Sequence, residues 1–259
     1  MIFLRNFIIL CLMIVSSPIY AEDKIIQAGT VLNLMQGIYT GSTTFAELEQ
    51  VGNFGLGTNN GLGGELVVID GKFYLADEHG DAKELPLSDK TPYTTITKFA
   101  PQKQFKVNNI ASIAELEQAI DKQLSSQNLF YAIRVDAEFP YIKARSIKAP
   151  SKPYLPLDQV VKTNQNVFEL NNISGTLVIF KSPAFISPTS VPDYHIHFIS
   201  SDRKKAGHVF DVKIGSANIG VMQTHQFELW LPSSKEYEQG DLQPVSDHSI
   251  RTIESATQK

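Results

Sequence analysis

The sequence predicts an α/β protein that is rich in strands and built on mixed sheets, and three observations carry that expectation. β-branched and aromatic residues dominate short runs bounded by Gly, Asn and Asp, the composition of pleated strands. Asp70-Gly71 divides Glu65-Leu66-Val67-Val68-Ile69 from Lys72-Phe73-Tyr74-Leu75 in the manner of a two-residue hairpin. Two Ser/Thr-x-x-Glu signatures, at Thr44 and Ser112, start brief helices between the strands.

Taken in order, the chain of 259 residues opens with Arg5 ahead of the apolar run Phe7 to Val15, then Ser16, Ser17, Pro18 and Ile19-Tyr20-Ala21. That is the layout of a signal peptide over residues 1–21, and it predicts an exported, periplasmic or secreted protein. The apolar run is too short to span a bilayer comfortably, so no stable membrane insertion of the mature chain is expected. Thr44-Phe45-Ala46-Glu47 heads a short helix ending near Gly52, and a glycine-rich stretch from Gly55 to Gly64 follows. This stretch leaves a helix and enters a strand, the reverse of the order a dinucleotide fingerprint needs, and no Gly-Lys-Ser/Thr follows it. Its glycines instead let the backbone pass close to other protein or to a site.

From Ser112 onward, Ile113, Leu116, Ile120 and Leu124 form an apolar stripe at helical spacing. Strands are expected at Leu129 to Val135 and around Tyr141 to Ile147. Three prolines between Ala149 and Pro156 mark a domain boundary, giving an N-terminal mixed-sheet domain over 22–150 and a β-rich domain over 151–259. Further strands are expected at Val167 to Leu170, Gly175 to Phe180, His195 to Ile199, His208 to Ile214 and Gln226 to Leu231, with a helical end from Asp241.

Composition excludes some functions. The only cysteine is Cys11, inside the signal segment, so neither disulfides nor thiolates serve the mature chain, and a tightly bound metal must use His and carboxylates. With Arg5 removed, 22 basic residues face 27 acidic ones, a net charge of −5 that suits no nucleic acid.

Three of the six histidines fall in Asp193-Tyr194-His195-Ile196-His197-Phe198-Ile199 and Ala206-Gly207-His208-Val209. On a strand, His195 and His197 share a face about 7 Å apart at Cα, while Ile196 points the other way. The polar link from Ser200 to Lys205 reverses the chain and lets the returning strand set His208 across from His197. Three imidazoles suit zinc or another first-row divalent metal and leave coordination positions open, the arrangement of a reactive site. His79 lies in a turn and is expected to be exposed; His225 and His248 have no assignable partner. At this point an exported metal-dependent hydrolase and a non-catalytic metal-binding β-module stand beside other metal enzymes.

Gly55-Leu56-Gly57-Thr58 with Gly61 to Gly71, Arg145 in Lys143-Ala144-Arg145-Ser146, Gly175-Thr176-Leu177 and the His195 to His208 block together resemble the bacterial α-acetolactate decarboxylase family, in order, from about Gly37 to Glu254. The resemblance implies a two-domain α/β fold with the metal between the domains, a homodimer, and zinc-dependent conversion of 2-acetolactate to acetoin and carbon dioxide. It implies His195, His197 and His208 as metal ligands, Glu65, Arg145 and Glu254 as catalytic residues, and Thr58 as a pocket residue. Two departures stand out. The family usually has Gly-Gly before the third histidine and Gly before the Tyr-His pair, where this chain has Ala206-Gly207 and Asp193-Tyr194.

Overall fold

A computed structural model describes residues 23–254 of the chain. The expected signal segment over 1–21 lies outside the described residues. No helix among those described is long and apolar enough to cross a membrane.

The elements run β1 (Lys24–Ala28), α1 (Val31–Met35), β2 (Thr43–Thr44), α2 (Phe45–Val51), β3 (Phe54–Thr58), β4 (Glu65–Ile69), β5 (Lys72–Ala76), β6 (Ala82–Glu84), β7 (Lys90–Thr91), β8 (Tyr93–Thr97), β9 (Lys103–Ile110) and α3 (Ile113–Asp121). They continue as β10 (Phe130–Ile147), α4 (Leu157–Asn164), β11 (Gln165–Ser182), β12 (Asp193–Ser200), β13 (Ala206–Thr224), β14 (Gln226–Trp230), α5 (Lys235–Glu238) and α6 (Asp247–Glu254). A seven-stranded mixed sheet has the order β14-β1-β8-β3-β4-β5-β6, with β1 and β14 parallel. A five-stranded antiparallel sheet has the order β10-β11-β12-β13-β9; β10 also pairs with β13, so four of its strands close on themselves. The boundary expected at 150/151 falls within this second sheet's run of strands, since β9 and β10 precede it and β11 to β13 follow.

Local sequence explains several elements. Thr44 Oγ1 accepts the Glu47 amide at 3.2 Å and Glu47 returns a carboxylate oxygen to the Thr44 amide at 2.7 Å, closing the capping box that starts α2. Asp70 and Gly71 both take positive φ, as the hairpin between β4 and β5 requires. The glycine-rich stretch differs from the expected loop, because its first half is strand β3. A Cβ at Gly57 would sit 2.2 Å from the Tyr93 carbonyl, so only glycine lets β3 lie this close on β8.

Strand alternation then distributes the core. Phe54 and Leu56 of β3 with Val67 and Ile69 of β4 meet Val178, Phe180 and Ile199 of the second sheet, filling the layer between the sheets. Leu66 and Val68 pack on the outer side of the first sheet with Phe45 and Leu48 of α2. Ile196 and Phe198 turn into the second sheet's own core, beneath Leu116 and Ile120 of α3. One end of the inter-sheet layer is covered by α1, α4 and α6 through Val31, Leu34, Leu157, Val160, Ile250 and Ile253. Burying the two isoleucines of α6 contributes at most about 3 to 6 kcal/mol, enough to dock a two-turn helix that would not persist alone.

Candidate metal centre

The layer between the sheets becomes polar where β12 and β13 begin their turn. His197 of β12 is the register partner of His208 of β13, and His208 is in turn the partner of Arg145 of β10. The three side chains therefore form a row across one face of the second sheet, with His195 two residues along β12 on the same face. Glu65 and Thr58 face them from the first sheet, on the same sides of β4 and β3 as Val67 and Leu56. Glu254, at the end of α6, closes the side. The structure thus brings together all seven residues named above: Thr58, Glu65, Arg145, His195, His197, His208 and Glu254 line or border one chamber, and all but Glu254 are less than a tenth exposed. His79, His225 and His248 are exposed and do not line this chamber.

Ligand nitrogens of His195, His197 and His208 lie within 4.8 Å of one another. His197 Nδ1 is 2.8 Å from the Leu66 carbonyl and so carries the proton, which leaves Nε2 as a lone pair. His208 is reversed: its Nε2 donates to the Glu254 backbone carbonyl at 3.0 Å, and Nδ1 is the free atom. Both free nitrogens are buried without a hydrogen-bond partner, a state that costs free energy unless something accepts their lone pairs. Burial, reinforced by the Arg145 charge, lowers the His195 pKa to about 3, and burial holds His197 and His208 well below the ordinary histidine range. Three neutral imidazoles, two of them with outer hydrogen bonds that set their tautomers, form a donor set that fits a first-row divalent cation.

Two carboxyls flank the cluster. Glu65 places one oxygen 3.4 Å from His197 Nε2 and the other 3.6 Å from Arg145 Nε. Glu254 Oε2 lies 3.6 Å from His195 Nε2 and 3.7 Å from His208 Nε2. With the imidazoles neutral, these histidine approaches are not ion pairs. Burial raises the Glu65 pKa to about 7 against the opposing pull of Arg145, and raises that of Glu254 in the same way. Thr58 donates its hydroxyl to the Gly64 carbonyl at 2.8 Å, bracing the turn that delivers Glu65.

Other contributors had no local signature in the sequence. The Leu66 carbonyl is a backbone group; Tyr93, buried beside His195 with ring centroids 6.2 Å apart, lies on a strand nothing marked in advance. Gln165 accepts a hydrogen bond from Arg145 Nη1 at 3.0 Å. Val31, Leu34, Leu62, Leu157 and Val191 supply an apolar wall.

Fold and site define a class: a sheet-rich α/β protein with buried histidines, two carboxyls and an arginine gathered between two sheets. The chain belongs to the alpha-acetolactate decarboxylase family, whose profile matches residues 25–244. It is 37% identical over 234 residues to the alpha-acetolactate decarboxylase of Methanosarcina mazei, covering 90% of this chain and 81% of the relative. It is 34% identical over 235 residues to that of Bacillus subtilis, covering 90% and 92%. The crystal structure of the Bacillus subtilis alpha-acetolactate decarboxylase superposes with a TM-score of 0.87 at 35% identity, over 90% of this chain and 100% of that one. The relatives are named alpha-acetolactate decarboxylases, so the chain is an enzyme of the carboxy-lyase class and the hydrolase and binding-module alternatives are not favoured.

Proposed function

We propose that this protein decarboxylates 2-acetolactate to acetoin and carbon dioxide, with zinc held by His195, His197 and His208. The observation that carries the reading is the row His197, His208 and Arg145 facing Glu65: a neutral nitrogen cluster beside a fixed cation and an acid whose pKa is near 7. When bound, zinc supplies Lewis acidity toward the oxygens of the substrate.

The protein's own groups account for the rest. Loss of carbon dioxide breaks the bond between the carboxylate carbon and its neighbour, and the electron pair passes to the adjacent ketone oxygen. Arg145, a buried cation, offers its N–H groups to the carboxylate and then to that negative oxygen. A proton must next be added to the carbon that lost carbon dioxide. Burial raises the pKa of both Glu65 and Glu254, favouring the neutral acid, and both border the chamber, so these two are the candidate donors for this step. The apolar wall excludes water and receives the methyl groups. Released carbon dioxide and acetoin from 2-acetolactate, loss of activity with a strong chelator and recovery with zinc are the expected results; turnover that survives metal removal overturns the reading.

Two further expectations join it. The first 21 residues support export, tested by assaying acetoin formation in separated cell compartments. The family resemblance supports a homodimer, tested by the mass of the protein in solution.

A further inference from the structure

Among the described residues that line the chamber, Arg145 is the only Lys or Arg, and its direction is set by groups outside the reaction. The residue is 3% exposed, and its Nη1 donates to two oxygens: Gln165 Oε1 at 3.0 Å and the Ile253 carbonyl, near the end of α6, at 2.6 Å. On the opposite edge, Nε has no hydrogen-bond partner and lies 3.6 Å from Glu65 Oε1. One edge of the fork is therefore pinned and the other is presented to the acid.

Register explains why Gln165 can do this. Arg145 pairs with Val167 across β10 and β11, so Gln165, two residues along β11, is its diagonal neighbour on the same face. That separation is within reach of two long side chains. Gln165 is also the residue at which α4 ends, where its own amide bonds to the Val161 carbonyl, so its backbone is fixed at the junction of two elements. The contact with Arg145 uses only an acceptor oxygen at this length of side chain, which an amide or a carboxyl group can supply.

We propose that Gln165 is a positioning residue for the decarboxylation: by holding Nη1 it aims Arg145 at the reacting carboxylate. This rests on the reading of Arg145 given above, and the test separates the two. Gln165→Met keeps the length and removes the strong acceptor; Gln165→Glu keeps the acceptor. The expected result for Gln165→Met is a kcat lower by about tenfold or more, in line with the penalty for misplaced catalytic groups, with KM within a few-fold of wild type. Its zinc content and melting temperature are expected to match the wild type. Gln165→Glu is expected to restore most of kcat. Wild-type kcat in Gln165→Met, alongside an inactive Arg145→Met, overturns the positioning role and leaves the reading of Arg145 standing. Equal losses in Gln165→Met and Gln165→Glu, or a loss of kcat that tracks lost zinc or lower melting, also overturn it. Full activity in Arg145→Met overturns the reading beneath it.

Discussion

His197 donates its Nδ1–H in a hydrogen bond to the carbonyl of Leu66, 2.8 Å away on the opposing sheet, one residue along β4 from Glu65. The same contact fixes the imidazole's tautomer and sets how deep β4 sits against the cluster. His197→Ala removes a ligand nitrogen and this anchor together. Metal affinity is expected to fall further than the roughly 10–100-fold that loss of an outer hydrogen bond costs, measured as metal retained after dialysis. Full retention would remove His197 from the ligand set.

Glu65→Gln is expected to keep the metal and lose turnover by roughly 10² to 10⁴-fold, the usual yield of positioned acid–base catalysis. Because burial raises the Glu65 pKa to about 7, its acid form persists up to that pH and disappears above it. If Glu65 gives the proton, wild-type kcat falls as pH rises through about 7, while the residual rate of Glu65→Gln stays flat there. A flat wild-type profile with Glu254→Gln inactive would assign the proton to Glu254.

The same substitution should stabilise the metal-free protein at high pH. The folded pKa of Glu65 lies above its ordinary value of 4.5, so the folded state holds the proton more tightly than the unfolded state does. Stability is then lost as pH rises from about 4.5 to about 7, by at most about 3 kcal/mol for this one group. Gln carries no such cost. The advantage of Glu65→Gln is expected to be near zero at pH 4 and largest above pH 7, where it amounts to roughly 6–12 °C in melting temperature. An advantage independent of pH would contradict the buried-acid assignment.

Gly64→Ala should damage both stability and the site. Gly64 has φ +148, and a Cβ there would sit 2.0 Å from the Ala76 carbonyl, in the turn that leads directly into Glu65. Forced overpacking of this kind costs about 1–3 kcal/mol. Gly215→Ala, where a Cβ would meet nothing within 4 Å, serves as the control and should melt like the wild type. Equal melting temperatures for the two variants would refute the close approach.

Much of the candidate site was legible because strand periodicity is simple. His195 and His197 had to share a face, and one tight link had to return His208 beside them, which the register of His197 with His208 bears out. The capping box at Thr44 and the hairpin at Asp70-Gly71 were equally local. Long strands were less so. The strands expected at Leu129 to Val135 and around Tyr141 to Ile147 are one strand, β10, which runs through Pro140 because an exposed proline without an N–H can occupy an irregular position where the ladder to β13 is interrupted. The strands expected at Val167 to Leu170 and Gly175 to Phe180 are likewise one continuous β11. Helix α4 starts behind Pro156 without a side-chain cap, so no capping residue announced it. Facing residues from the other sheet, such as Leu66 against His197, depend on packing between segments far apart in the chain.

The parallel pairing of β1 with β14 has a consequence for biogenesis. Lys24 bonds to Glu228 across 204 positions, so the growing polypeptide carries β1 with one side open until almost the whole message has been translated. Its apolar residues, Ile25 and Ile26, must stay out of intermolecular strand pairing for that interval. Assembly is therefore expected to be slow and to depend on chaperones more than a protein of this size with short-range contacts would.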